Sequence, residues 1–198
     1  MPEKKIDLKK EHRDLYTATK KVKEVRAGKA TFLVVDGQGR PGNEDYQEAI
    51  GRLYGLAYTT KFTLMKEGGL NFGVCNLECL WLDDPNTPMD KWRWRLMVRI
   101  PDQLRARDLG RMRKLMLESK EIDTSDVKRE TWTEGRAVQT MHVGPYDQVG
   151  ATYRKLGEWA EENGLQPTNP GHEIYISDPR RTAPEKLKTI VRMPVRKG

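Results

Sequence analysis

The chain has 198 residues, enough for one domain with a sizeable core or for two small intertwined halves. Apolar residues make up 36% and charged residues 33%, a polar globular profile that excludes a disordered chain. The formal charge of +7 is scattered, densest at Arg105, Arg107, Arg111, Arg113 and Lys114 and at Lys4, Lys5, Lys9 and Lys10; with no zinc-finger, RNP or KH signature beside it, this predicts a solvated basic surface and no nucleic-acid partner.

Residues 1–24 read as a charged N-terminal extension with a turn or two of helix, anchored by Ile6, Leu8, Leu15, Tyr16 and Val22. Residue types favour a strand from Val25 to Val35. The following run 37–43 is dense in turn formers, and with no Lys-Ser/Thr after its glycines it is a turn, not a phosphate loop. A helix starts near Glu44, where Tyr46, Ala49, Leu53, Leu56 and Thr60 make one stripe. A strand is expected from Leu70 to Leu82; Cys75 and Cys79 within it would lie about 13 Å apart, beyond disulfide reach. After a turn at 83–90, Trp92, Trp94, Leu96, Val98 and Ile100 alternate with Arg93, Arg95, Met97 and Arg99, the pattern of a strand with one buried face. A helix over about Leu104–Lys120 follows. A second set of elements comprises an apolar run after Gly135, a helix with the stripe Tyr146, Val149, Tyr153, Leu156 and Ala160 stopped by Asn163-Gly164, and strands at Glu173–Ser177 and Lys188–Met193. No run approaches the roughly 20 apolar residues of a membrane span. Two cysteines and no apolar segment after Met1 place the chain in the reducing cytoplasm.

These elements form a tandem duplication. Gly28-Lys29-Ala30 and Gly135-Arg136-Ala137 each open an apolar run that ends at Gly37 or Gly144. Leu80-Trp81-Leu82-Asp83-Asp84-Pro85 matches Ile174-Tyr175-Ile176-Ser177-Asp178-Pro179, and Val98-Arg99-Ile100-Pro101 matches Val191-Arg192-Met193-Pro194. The expected fold is α+β: a tandem pseudo-twofold β-α-β-β repeat, an antiparallel sheet with helices on one face, and a ligand groove at the seam. One domain then comprises the extension 1–24, a first repeat 25–101, a connecting helix 102–124 and a second repeat 125–198.

The halves differ where the first has Cys79 and the second Glu173. Alternation puts Glu173, Tyr175 and Ser177 on one face and Ile174 and Ile176 on the other. If the isoleucines face the helices, Glu173, Tyr175, Cys79 and Trp81 face the groove. A carboxylate there has its pKa raised by desolvation, which suits it to hold a cation or to act as a general base; the plainer alternatives are an exposed strand Glu or a partner for an arginine such as Arg99. The Tyr175 phenol suits an oxyanion role, or core packing. Trp81, Trp92 and Trp94 offer flat faces. Tyr146 projects toward the groove from the second helix, although its equivalent Tyr46 fits packing equally well. Glu78 falls opposite Trp81 unless a bulge near Cys79 turns it. His142 is a candidate groove residue; with His172, Cys79 and Glu173 it has no metal-ligand spacing, so neither metal nor cofactor is expected.

The segments Leu77–Leu82, Lys91-Trp92-Arg93-Trp94, Glu134-Gly135, Gln139–Tyr146 and His172–Arg180 together resemble the GyrI-like small-molecule-binding family, related to the effector-binding domains of multidrug-sensing regulators. The stand-alone branch reads LEGLWW, KWxW, EG, QxxHxGPY and HHEIYLSDPR; this chain departs from it at Cys79 (Gly), Leu82 (second Trp) and Gly171 (first His). The resemblance implies a groove for planar, cationic or electrophilic organic molecules, met by a buried Glu at the position of Glu173. It also implies that the chain is similar to cyclopropanoid hydrolases, which open the strained ring of DNA-alkylating toxins with water. In that reading Glu173 activates the water, Tyr175 stabilises the oxygen that gains charge, and Trp81, Trp92 or Trp94 and Tyr146 clamp the ligand. The alternative is sequestration or sensing of cationic drugs without turnover, and a gyrase-interacting role rests on the family name alone. Oligomeric state is left open.

Overall fold

Two strands far longer than the average of about 5–6 residues carry the architecture. β1 (Lys23–Gln38) and β4 (Lys128–Val143) have 16 residues each and pair antiparallel, from Lys23 opposite Gln139 to Val34 opposite Lys128. The computed structural model describes residues 5–198; Lys4 of the N-terminal basic run lies outside the described residues. β3 (Arg93–Ile100) pairs with β1, β2 (Leu77–Trp81) with β3, β6 (Gly171–Tyr175) with β2, and β7 (Lys188–Lys197) with β6. β7 also pairs with β4, so six antiparallel strands close into a ring and lose their free edges; β5 (Leu165–Pro167) adds to β7. The duplication survives in the ladders: Thr31 faces Ile100 across β1–β3, and its counterpart Val138 faces Met193 across β4–β7.

Helix α3 (Glu44–Lys66) is capped by the Asn43 side chain, which accepts from the Tyr46 N–H at 2.9 Å. Its stripe is buried as its spacing predicts, with Ala49, Leu53, Leu56 and Thr60 fully enclosed against Leu33, Leu77, Leu96 and Val98. Leu53→Ala is therefore expected to cost about 2–5 kcal/mol in a denaturant titration. Helix α5 (Val149–Glu162) buries Leu156 and Ala160 against β4 and β7, while Tyr146 stands in a single 3-10 turn before it. α4 (Ala106–Lys120) joins the halves and packs on α3. Among the described residues no helix is long and apolar enough to cross a membrane.

Two expectations need correction, and one short strand goes unmarked in the sequence. The strand expected from Leu70 is only Leu77–Trp81; before it the chain makes one bridge, Ile6 to Phe72, and Cys75 lies outside the strand with its thiol free, as is that of Cys79. β3 is buried on both faces over Leu96–Ile100, because Met97 and Arg99 point into the ring. The short β5 has no pattern of its own to betray it. The N-terminal segment forms α1 (Leu8–Glu11) and α2 (Arg13–Tyr16), whose Leu15 and Tyr16 pack on the ring's inner face.

Candidate functional site

β2 and β6, one from each half, run side by side, and Cys79 faces Glu173 directly across their ladder. α3 covers β1 and β3 while α5 covers β4, β5 and β7, so the outer face of β2–β6 is the floor between two flanking helices. Cys79, Trp81, Glu173 and Tyr175 share this floor, the grouping that alternation predicts. The isoleucines do not face the helices: Ile174 packs with Leu15, Tyr16, Val25 and Ile190 on the inner face. Because the N-terminal segment covers that face, β6 is buried on both sides, and apolarity does not mark the helical side.

Glu173 is 4% exposed. The Tyr175 hydroxyl donates to its Oε2 at 2.9 Å and the Tyr153 hydroxyl to its Oε1 at 3.4 Å, with Trp81 also beside the carboxylate. The Tyr46 and Tyr175 hydroxyls lie 3.5 Å apart. Burial pushes the Glu173 pKa up, and the surrounding Tyr175, Trp81, Tyr153 and His172 offset this only in part. Burial also lifts the phenols of Tyr46, Tyr153 and Tyr175 well above their usual range, so they remain donors. The site thus holds a carboxylate among neutral donors, with no lysine or arginine paired to it among the described residues.

Aromatic rings build the walls. Tyr46 and Trp81 are parallel within 2° with centroids 6.3 Å apart, and Trp92 meets Trp81 edge-on at 5.5 Å. Tyr146, 37% exposed, stands edge-on to Tyr175 at 5.5 Å and marks the mouth. Trp94 lies beneath Tyr46 at 5.1 Å, buried in the core. A side chain at Gly37 would overlap its ring, which accounts for glycine there.

The Cys79 thiol is enclosed and burial raises its pKa well above the ordinary value, so it does not act as a thiolate nucleophile. Cys75 is also buried, its pKa raised to about 12. Both are expected to resist a disulfide-exchange reagent in the native protein and to react on addition of denaturant, as followed by absorbance.

Two candidates lie elsewhere. His142 bonds through Nδ1 to the Thr152 hydroxyl (2.8 Å) and through Nε2 to the Pro145 carbonyl (3.0 Å), tying the end of β4 to the start of α5. Glu78 sits in an unbulged ladder and points into the ring. There its Oε1 accepts from Tyr16 (2.7 Å) and its Oε2 meets His172 Nε2 (2.9 Å), while His172 Nδ1 meets Glu134 (3.0 Å) and Arg192 donates to Glu134 (2.8 Å). Burial alone would depress the His172 pKa, but Glu134 and Glu78 outweigh it and hold it at about 9. Burial likewise opposes ionisation of Glu134, and His172 and Arg192 outweigh that, holding it at about 2. Tyr153 is the site residue that reading the sequence misses, because it hides in the apolar stripe of α5. The clue is Gly171: a Cβ there would come 2.9 Å from the Tyr153 hydroxyl, so the missing side chain is what admits that phenol to Glu173.

The family profile of the GyrI-like small molecule binding domain matches residues 20–196. The chain belongs to the GyrI-like family. Its fold is similar to that of an uncharacterized conserved protein from Listeria innocua, with 37% identity over 97% of this chain and 100% of that one and a TM-score of 0.91. It is also similar to a hydrolase from Listeria innocua, at 37% identity over 97% of this chain and 100% of that one, with a TM-score of 0.88. The C-terminal domain of EcmrR shares the GyrI-like fold at 15% identity, over 90% of this chain and 97% of that domain, with a TM-score of 0.60. No curated protein matches the chain.

Proposed function

We propose that this GyrI-like domain is a hydrolase that adds water to the strained cyclopropane of planar, electrophilic, DNA-alkylating toxins, and so detoxifies them. The observation that carries the reading is Glu173: a buried carboxylate, held by two phenols and flanked by aromatic walls, with no lysine or arginine paired to it among the described residues. Its raised pKa moves it toward the neutral range in which a general base works best. The related Listeria protein named a hydrolase supports the same direction.

In the proposed reaction Glu173 takes a proton from water as the water oxygen bonds to the cyclopropane carbon. The ring C–C bond breaks, and its electron pair moves through the conjugated dienone to the carbonyl oxygen. That oxygen then takes a proton and becomes a phenol, so the net change is addition of one water. Ring strain and aromatisation drive the step, leaving the protein to position the reactants. The Tyr175 hydroxyl is engaged with Glu173 and fixes the carboxylate, which departs from the oxyanion role expected for it. The charge develops at the far end of the conjugated system, and the proposed donor to it is Tyr146, the exposed phenol at the mouth. Trp81, Trp92 and Tyr46 clamp the flat body. The separate, buried thiols of Cys75 and Cys79 fit a cytoplasmic site of action.

Incubation with a cyclopropapyrroloindole-type alkylator, followed by mass spectrometry, should give a product heavier by one water at a rate proportional to protein. Binding without product would instead establish the second reading, sequestration of cationic aromatic compounds, which a Glu173 carboxylate with no lysine or arginine paired to it among the described residues favours. Under that reading affinity for a cationic dye should fall as pH drops through the raised Glu173 pKa, because protonation removes the negative charge of Glu173 at the floor. Fluorescence titration at several pH values measures this, and a flat profile would exclude a charge-based role for Glu173.

A further inference from the structure

The ring's inner face holds a second asymmetry of the duplication, independent of the groove. Arg99 and Arg192 occupy matching places in the Val98–Pro101 and Val191–Pro194 tetrads, and Phe32 faces Arg99 across β1–β3 as Gln139 faces Arg192 across β4–β7. Arg192 is fully met: Nη1 donates to Glu134 (2.8 Å), Nε to Gln139 (2.9 Å) and Nη2 to the Leu15 carbonyl (2.6 Å). Counted from Gly28 and Gly135, the first half has Ala27 in place of Glu134 and Phe32 in place of Gln139. Arg99 is 8% exposed, and among the described residues it has neither an ion-pair nor a hydrogen-bond partner. The carboxylate of Asp102, three residues on, accepts from the Thr31 hydroxyl at 2.5 Å and does not pair with it.

Where the second half is filled by the Glu134 and Gln139 side chains, the first half leaves a cavity of about 20 Å³. Ala27, Phe32, Glu78, Arg99, Glu134 and His172 are on its wall, and Arg192 borders it too. The volume suits a single water-sized particle. Three cations (Arg99, Arg192 and His172) face two carboxylates (Glu78 and Glu134), an excess of one positive charge. His172 counts as charged at neutral pH because its pKa stands at about 9. Nearby His12, with its pKa lowered by burial first and then by Arg99, adds no cation. A guanidinium with no carboxylate partner among the described residues carries an uncompensated charge in this cavity; a water molecule satisfies its hydrogen bonds but not its charge.

We propose that this cavity is a binding site for one small monovalent anion, a halide, with Arg99 as its principal donor. The anion does for Arg99 what Glu134 does for Arg192, and a monatomic ion suits the small space. The direct test is crystallisation of the wild-type chain in sodium bromide with data collected at the bromine edge. An anomalous peak in the cavity beside Arg99 is expected; a featureless cavity beside an ordered Arg99 overturns the proposal. In solution, replacing gluconate by bromide at constant ionic strength should raise the wild-type melting temperature saturably, by about 2–4 °C. Ala27→Glu, which restores the carboxylate of the second half, should abolish that rise. An equal rise in wild type and Ala27→Glu would mean that bromide acts elsewhere and would also overturn it. Should Ala27→Glu fail to fold, the anomalous map of the wild type decides alone.

Discussion

Glu173→Gln should lower the rate of water addition by about 10²–10⁴, the usual contribution of a positioned general base, while leaving the melting temperature close to that of the wild type. Gln keeps the shape of the side chain: its amide oxygen can still accept from Tyr175 while its NH2 donates to the Tyr153 hydroxyl oxygen, so the floor is preserved and only the proton acceptor is lost. Removing the charge does not destabilise the fold here, since burial already disfavours the charged form. Stopped-assay product quantification for both proteins, beside ligand affinity, separates the outcomes. A large loss of turnover with retained binding is expected; unchanged turnover would remove Glu173 from the chemistry.

The second large effect belongs to the inner face. Glu134→Gln should cost about 3–5 kcal/mol, because it leaves Arg192 and His172 buried without their shared carboxylate. The pH dependence of the wild type has a definite sign. Glu134 stands at about 2, below its unfolded value near 4.3, so its contribution is complete above about 4.3 and is lost as pH falls through 2. His172 stands at about 9, above its unfolded value near 6.5, so its contribution is complete below about 6.5 and is lost as pH rises through 9. Denaturant midpoints should therefore be highest between about pH 4.3 and 6.5 as far as these two groups decide them. In Glu134→Gln both limbs should flatten, because the acid limb loses its titrating group and His172 loses the carboxylate that does most to hold its proton. A variant with an unchanged profile would show that the pairing contributes nothing to folding.

The duplication was legible because its landmarks are local: glycines at turns, Asp-Pro after a strand, and a tetrad at each end. The stripes of α3 and α5 were legible because one face of each meets a wet surface and the other a dry one. Closure of the ring was not, since the β4–β7 pairing depends on residues far apart in sequence and leaves no periodic mark. Burial on both sides of β6 follows from that closure, and for the same reason the side to which Ile174 turns could not be inferred from its apolarity. Cys79, Trp81, Glu173 and Tyr175 share a face as strand alternation requires, whereas Tyr153 joins them from a helix across a gap opened by Gly171. Glu78 stayed ambiguous because a carboxylate in an apolar strand announces function without saying on which side; its partners Tyr16 and His172 come from distant segments.

The central claim is that Glu173 activates a water molecule in the groove, and a single turnover in ¹⁸O-labelled water tests it most directly. With protein in excess over alkylator, the account predicts that the product of the first turnover carries the solvent oxygen on the former cyclopropane carbon. An unlabelled oxygen in that first product would show that the carboxylate itself had attacked, and would contradict the assignment of Glu173 as a base.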